Sequence, residues 1–197
     1  MATVSTPKMT AEEFYDWANR PENADKMFEL DRGEVVEMPP PGELHGTICA
    51  WVASLLWQFA VRRGRGRVTS NDTGLVVNRD PDTVRSVDVM FFDASAPLSG
   101  VEAGYPRSIP AVAVEILSPT DRWGQVQLRV KQYLAFGVPL VWVIDPMDFT
   151  VTVFRPGEMQ RVLEESDELT GNGVLPDFTC RVADLFALPG QSPPASP

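Results

Sequence analysis

The spacing of apolar and polar residues divides the chain into short strands and four helices. From about Leu44, the residues Ile48, Val52, Leu55 and Phe59 recur at the period of one helix face and predict an amphipathic helix that ends near Gly64. A second helix is expected from about Arg122 to Phe136. There Trp123, Val126, Val130, Tyr133 and Leu134 form the apolar stripe, and Ser118-Pro119-Thr120-Asp121 offers capping residues. A shorter helix opens at Thr10-Ala11-Glu12-Glu13, where hydroxyl and carboxylate fit a reciprocal capping box, and runs to about Ala18.

Strand-like runs lie between these helices. Met27 to Leu30 and Glu34 to Met38 flank the turn residues Asp31-Arg32-Gly33 and predict a hairpin. Val68 to Val77 and Val84 to Phe92 follow, then a loop rich in Gly, Pro and Ser, then Ala111 to Leu117 and Leu140 to Ile144 on either side of the second long helix. Those last two strands are almost wholly apolar, which fits parallel pairing buried on both faces. Thr150 to Phe154 and Arg161 to Glu164 read as peripheral strands, and a short helix is expected at Val182 to Phe186. The expected fold is α/β, more fully a mixed α+β sheet flanked by helices with an N-terminal β-hairpin. One domain is expected over residues 9–188, between a flexible N-terminus at 1–8 and a polar, proline-rich, disordered tail at 189–197.

Composition agrees with one substantial core: 44% of the 197 residues are hydrophobic, so neither disulfides nor structural metals are required. Cys49 and Cys180 stand in no metal or redox motif and read as buried free thiols. The start of the chain has no basic stretch followed by an apolar run, and no segment is expected to span a membrane; a cytoplasmic protein is expected. A net charge of -10 argues against strong non-specific binding to phosphate backbones. The densest cationic run, Arg62 to Arg67, reads as a solvated helix end.

Against this background two acids are out of place. Asp88 is flanked by Val87 and Val89 with Met90 and Phe92 on its own face, and Glu115 interrupts the run Ala111 to Leu117 near its C-terminal end. A buried carboxylate costs several kcal/mol unless it is paired, protonated or metal-bound. Two of them on adjacent strands would repel unless a cation lay between, and such oxygen ligands suit Mg²⁺ or Mn²⁺. Separate salt bridges, with Arg85 or Arg129 as partners, would also satisfy them.

Three further residues carry candidate chemistry. Lys131 falls outside the apolar stripe of its helix, and its stem has the length to reach the sheet end that bears Glu115; the plainer reading is a solvated lysine. His45, the single histidine, shares the stripe of Ile48 and Val52; it is either a structural core-edge histidine or a proton shuttle. Glu29 is an acid between Phe28 and Leu30 that a hairpin strand can also turn to water.

Phe28-Glu29-Leu30-Asp31-Arg32-Gly33, His45, Val87-Asp88-Val89, Val114-Glu115-Ile116-Leu117-Ser118-Pro119, Lys131 with Tyr133, Gly137-Val138 and Trp142-Val143-Ile144-Asp145-Pro146 occur in an order that resembles the Uma-two family of the PD-(D/E)XK nuclease superfamily. The resemblance runs from about Met9 to Leu188. It implies a restriction-endonuclease-like core, with Asp88, Glu115 and the Ile116 carbonyl as ligands of Mg²⁺ or Mn²⁺. It implies Lys131 as a lysine displaced onto the helix, since Leu117 stands where the usual motif has Lys, and Glu29 and His45 as further pocket residues. A second departure is Val87 in place of the usual Pro before Asp88. The implied activity is metal-assisted phosphodiester hydrolysis of nucleic acid, DNA before RNA, by a homodimer, with the β segments after Asp145 as a candidate interface. A non-catalytic binding or scaffold protein of the same fold and a hydrolase of small phosphorylated substrates are the alternatives.

Overall fold

The computed structural model describes residues 8–94, 101 and 103–187. The expectations for residues 1–7 and 189–197 lie outside the described residues, as does part of the loop after Phe92. The elements, in order, are α1 (Ala11–Ala18), β1 (Met27–Asp31), β2 (Glu34–Met38), α2 (Glu43–Arg63), β3 (Arg67–Asn78), β4 (Thr83–Phe92), β5 (Val112–Ile116), α3 (Trp123–Phe136), β6 (Val141–Asp145), β7 (Thr150–Phe154), β8 (Arg161–Leu163), β9 (Glu168–Thr170) and β10 (Thr179–Arg181).

Eight strands form one mixed sheet in the order β2-β1-β4-β5-β6-β7-β8, with β3 also paired to β4. The β5 and β6 strands are parallel, in register Val114↔Trp142 and Glu115↔Val143, and α3 is the crossover between them. All other pairings in this sheet are antiparallel. The hairpin turn is made by Arg32 (φ 52) and Gly33 (φ 81), the two positive φ angles that a two-residue connection needs. The small β9–β10 pair, unexpected from the sequence because its strands have only three residues each, sits beside a 3-10 turn at Val182–Leu185 in place of the expected last helix.

Each face of the sheet carries a helix. On one side Ile48, Val52, Leu56 and Phe59 of α2 meet Val89, Val114 and Trp142; on the other Val126, Val130 and Tyr133 of α3 meet Met90, Ala113 and Val143. Each such large apolar side chain contributes about 1.5–3 kcal/mol on burial.

Several local expectations change. By length and composition α2 is apolar enough to cross a membrane, contrary to the sequence expectation, with mean hydropathy 1.4 over an 18-residue window. Here one of its faces packs into the core, and core helices pass the same test. The Thr10 capping box forms, with Glu13 N–H donating to the Thr10 hydroxyl and Thr10 N–H to the Glu13 carboxylate. Ser118 to Asp121 caps no helix: Asp121 accepts from Ser118 N–H at 2.7 Å and closes a turn, and α3 starts only after Arg122. Trp123, expected in the buried stripe, is 41% exposed against Phe154.

Candidate active site

Strands β4 and β5 pair Val89 with Val114 and Met90 with Ala113, so continuing the antiparallel register sets Asp88 opposite Glu115. Both are buried, and both line a cavity of about 720 Å³ that also takes in Glu29, His45, Asp72, Arg85 and Arg129. The cavity opens at the C-terminal end of β5, between the start of α2 and α3, where ligand sites of open α/β sheets gather.

Asp88 is held from two sides. Its Oδ2 accepts the Ile116 N–H at 2.6 Å, and its Oδ1 lies 3.3 Å from His45 Nε2. That hydrogen bond to Asp88 raises the His45 pKa above its ordinary value and outweighs the opposing effect of burial. The other ring nitrogen, Nδ1, lies 3.4 Å from Cys49 Sγ, one helical turn along α2.

Glu115 accepts from the Tyr133 hydroxyl at 2.6 Å through Oε1, and its Oε2 lies 3.6 Å from Arg129 Nη1. Burial pushes its carboxyl up to about 8; Arg129 works against this and Asp88 adds to it. Tyr133, raised well above 10 by burial first and Glu115 second, is a neutral donor. Asp72 joins the group through a bulge in β3: between Ser70↔Val89 and Thr73↔Val87 one extra residue is inserted, and Asn71 (φ 65) and Asp72 (φ 53) adopt left-handed backbone, which Asn and Asp tolerate. Burial, then the nearby Asp88, pushes its carboxyl up to about 6.

Glu29 is the anchor of the neighbouring cations. It accepts from Arg85 Nη1 at 3.0 Å, Arg129 Nη1 at 2.9 Å and the Ser86 N–H at 2.9 Å, while Arg85 also bonds Asp31 at 2.6 Å and Gln132 at 2.8 Å. Its oxygens are thus committed to positioning Arg85 and Arg129.

The structure brings together Asp88, Glu115, His45, Glu29 and Ile116, but not Lys131, which the sequence reading had set beside the acids. Lys131 is exposed and does not line the cavity. The reason is helical geometry: Lys131 lies two residues beyond Arg129, about 200° round the axis, on the opposite face. Arg129 is the cation beside Glu115. Sequence reasoning took Arg129 only as a salt-bridge partner, Tyr133 as core and Cys49 as a bland thiol, and it passed over Asp72. The spacing of Arg129, three residues after Val126 and four before Tyr133, was the available signal.

The donor set fits a divalent cation. Asp72, Asp88 and Glu115 converge where, among the described residues, His45 and a guanidinium shared with Glu29 offset them, and two of the three carboxyls are pushed toward neutrality, by burial first and by the neighbouring Asp88 in addition. A cation among these oxygens removes that conflict.

Residues 11–183 match the model of the Uma2 family, described as "Putative restriction endonuclease". A crystal structure from Anabaena variabilis, described as "a putative nuclease belonging to DUF820", is similar with a TM-score of 0.76 at 21% identity, over 90% of this chain and 97% of that one. At that identity the likeness shows a shared fold. No curated protein matches. With the family model covering most of its length, the chain belongs to the Uma2 family of restriction-endonuclease-like proteins.

Proposed function

We propose that this protein hydrolyses phosphodiester bonds of nucleic acid, DNA before RNA, with Mg²⁺ or Mn²⁺ held by Asp88, Glu115 and the Ile116 carbonyl. The observation that carries the proposal is the convergence of Asp88 and Glu115, from adjacent strands, on one cavity with Arg129 beside them. When bound, the ion supplies Lewis acidity toward a phosphate oxygen and lowers the pKa of water. Arg129 offers a permanent positive charge to a phosphate; as a guanidinium it cannot act as a general base. His45, hydrogen-bonded to Asp88 through Nε2, is placed to donate a proton or a hydrogen bond at the cavity wall. Tyr133 fixes the Glu115 carboxylate in one orientation. The net charge of -10 makes substrate binding depend on the cation and these two side chains more than on a broad basic surface. A cytoplasmic homodimer is part of the same proposal.

The test is Mn²⁺-dependent cleavage of DNA and RNA by purified protein, with Asp88→Ala expected to lose at least about 100-fold. Equal activity of variant and parent would defeat the assignment. The same assay separates the two helix cations. Arg129→Ala is expected to cost roughly 100-fold, as for one lost charge-stabilising donor, and Lys131→Ala no more than about twofold. A large loss in Lys131→Ala would contradict the geometry.

One observation favours a non-catalytic binding role instead: both Glu115 oxygens already face protein donors. Calorimetry with Mn²⁺ decides, since a remnant site would show no binding that depends on Glu115.

A further inference from the structure

We propose that the cation site extends from Asp88 to His45 and Cys49, and therefore accepts a divalent ion with affinity for imidazole and thiolate, of which Zn²⁺ is the representative. The inference rests on the proposed role of Asp88 as a metal ligand and goes beyond it, adding a second class of ion to the Mg²⁺ or Mn²⁺ held through Asp88 and Glu115. His45 and Cys49 are four residues apart on α2 and so project from the same face of the helix, one turn from each other. One ligand atom from each of His45, Cys49 and Asp88 lies within 4.8 Å of the others. The His45 Nε2 to Asp88 Oδ1 separation is 3.3 Å and the Cys49 Sγ to His45 Nε2 separation is 4.0 Å.

These separations can be set against a tetrahedral zinc site. Its bond lengths give ligand-to-ligand edges of roughly 3.3 Å between nitrogen and oxygen and roughly 3.6 Å between nitrogen and sulfur. The nitrogen-oxygen edge is met; Cys49 Sγ, nearer Nδ1 at 3.4 Å than Nε2 at 4.0 Å, joins the ion only when its side chain turns toward the Nε2 side of the ring. Asp72, at the β3 bulge and beside Asp88, stands outside this three-residue group, which leaves the fourth position to water or substrate.

The chemistry of the donors selects the ion. Imidazole and thiolate favour Zn²⁺ and its neighbours in the transition series, whereas Mg²⁺ requires an oxygen shell. Coordination forms the metal-sulfur and metal-nitrogen bonds and releases to solvent both the thiol proton and the proton that His45 Nε2 shares with Asp88.

Titration of the full chain with Co²⁺, as the spectroscopic stand-in for Zn²⁺, tests this. A sulfur-to-cobalt charge-transfer band in the near ultraviolet is expected, lost in Cys49→Ser, kept in Cys180→Ser, and bleached by competing Zn²⁺. Cys49→Ser is also expected to weaken Zn²⁺ binding by roughly tenfold or more while changing Mn²⁺ binding far less. A parent protein without the band, or a band that persists in Cys49→Ser, overturns the inference. If Mn²⁺ still binds through Asp88 and Glu115 in that case, the nuclease reading survives; if Asp88→Ala binds Mn²⁺ like the parent, that reading fails as well.

Discussion

Glu29→Ala is expected to destabilise the protein by about 3–5 kcal/mol, the usual cost of removing one partner from a buried ion-pair network. Glu29 is 2% exposed and is the acceptor shared by Arg85, Arg129 and the Ser86 N–H. Truncating it leaves the buried Arg85 with Asp31, whose side chain is 43% exposed, and with the neutral Gln132. Arg129 is left with the more distant Glu115 oxygen and the Ser86 carbonyl. Glu29→Gln keeps the shape and one acceptor and is expected to cost clearly less. Urea denaturation of the three proteins measures this. A Glu29→Ala variant within 1 kcal/mol of the parent would mean that the two arginines find other partners, and that Glu29 is not their anchor.

That network explains what could and could not be read from the sequence. Asp88 and Glu115 were legible because a carboxylate within an apolar strand is conspicuous wherever the strand goes, and strand alternation gave the face of Glu115 beside Ala113. The parallel β5-α3-β6 unit was legible for the same reason, from two apolar strands around an amphipathic helix. Glu29 was ambiguous, since the hairpin pattern does not say which face of β1 meets β4 and the arginines of β4 and α3. Lys131 drew attention through its resemblance to an expected lysine, yet the stripe of Val126, Val130 and Tyr133 already fixed the buried face of α3, and Arg129 lies nearer its centre than Lys131 does. Asp72 could not be found by counting, because the extra residue at the bulge breaks the period of two on which such counting depends. Cys49 was discounted as an isolated thiol. Its partner, four residues back, was visible, but that Asp88 reaches the same point from the sheet is a tertiary fact.

The metal-free protein is expected to lose stability as pH rises from about 5 to 8, with Glu115 as the chief cause. Its carboxyl is raised from an ordinary value of 4.5 to about 8, so in that window the folded state keeps a proton that the unfolded chain has released, and each step up in pH favours unfolding. Asp72, raised from 3.8 to about 6, acts in the same sense at lower pH. His45 also agrees in sign: its raised pKa gives stability that is complete below 6.5 and fades as pH climbs through the folded value. In chelator, the melting temperature should therefore fall by roughly 5 °C or more across the window. Glu115→Gln removes the largest contributor, and its curve should be distinctly flatter while keeping the Tyr133 hydrogen bond. Added Mn²⁺ should raise the parent's melting temperature most at pH 8, where the carboxylates are free to bind it, and by much less in Glu115→Gln. Parallel curves for the parent and Glu115→Gln would show that Glu115 is ionised across the whole range in the folded protein. Arg129 alone would then be neutralising it, and the electrostatic reason for a cation at this site would be gone.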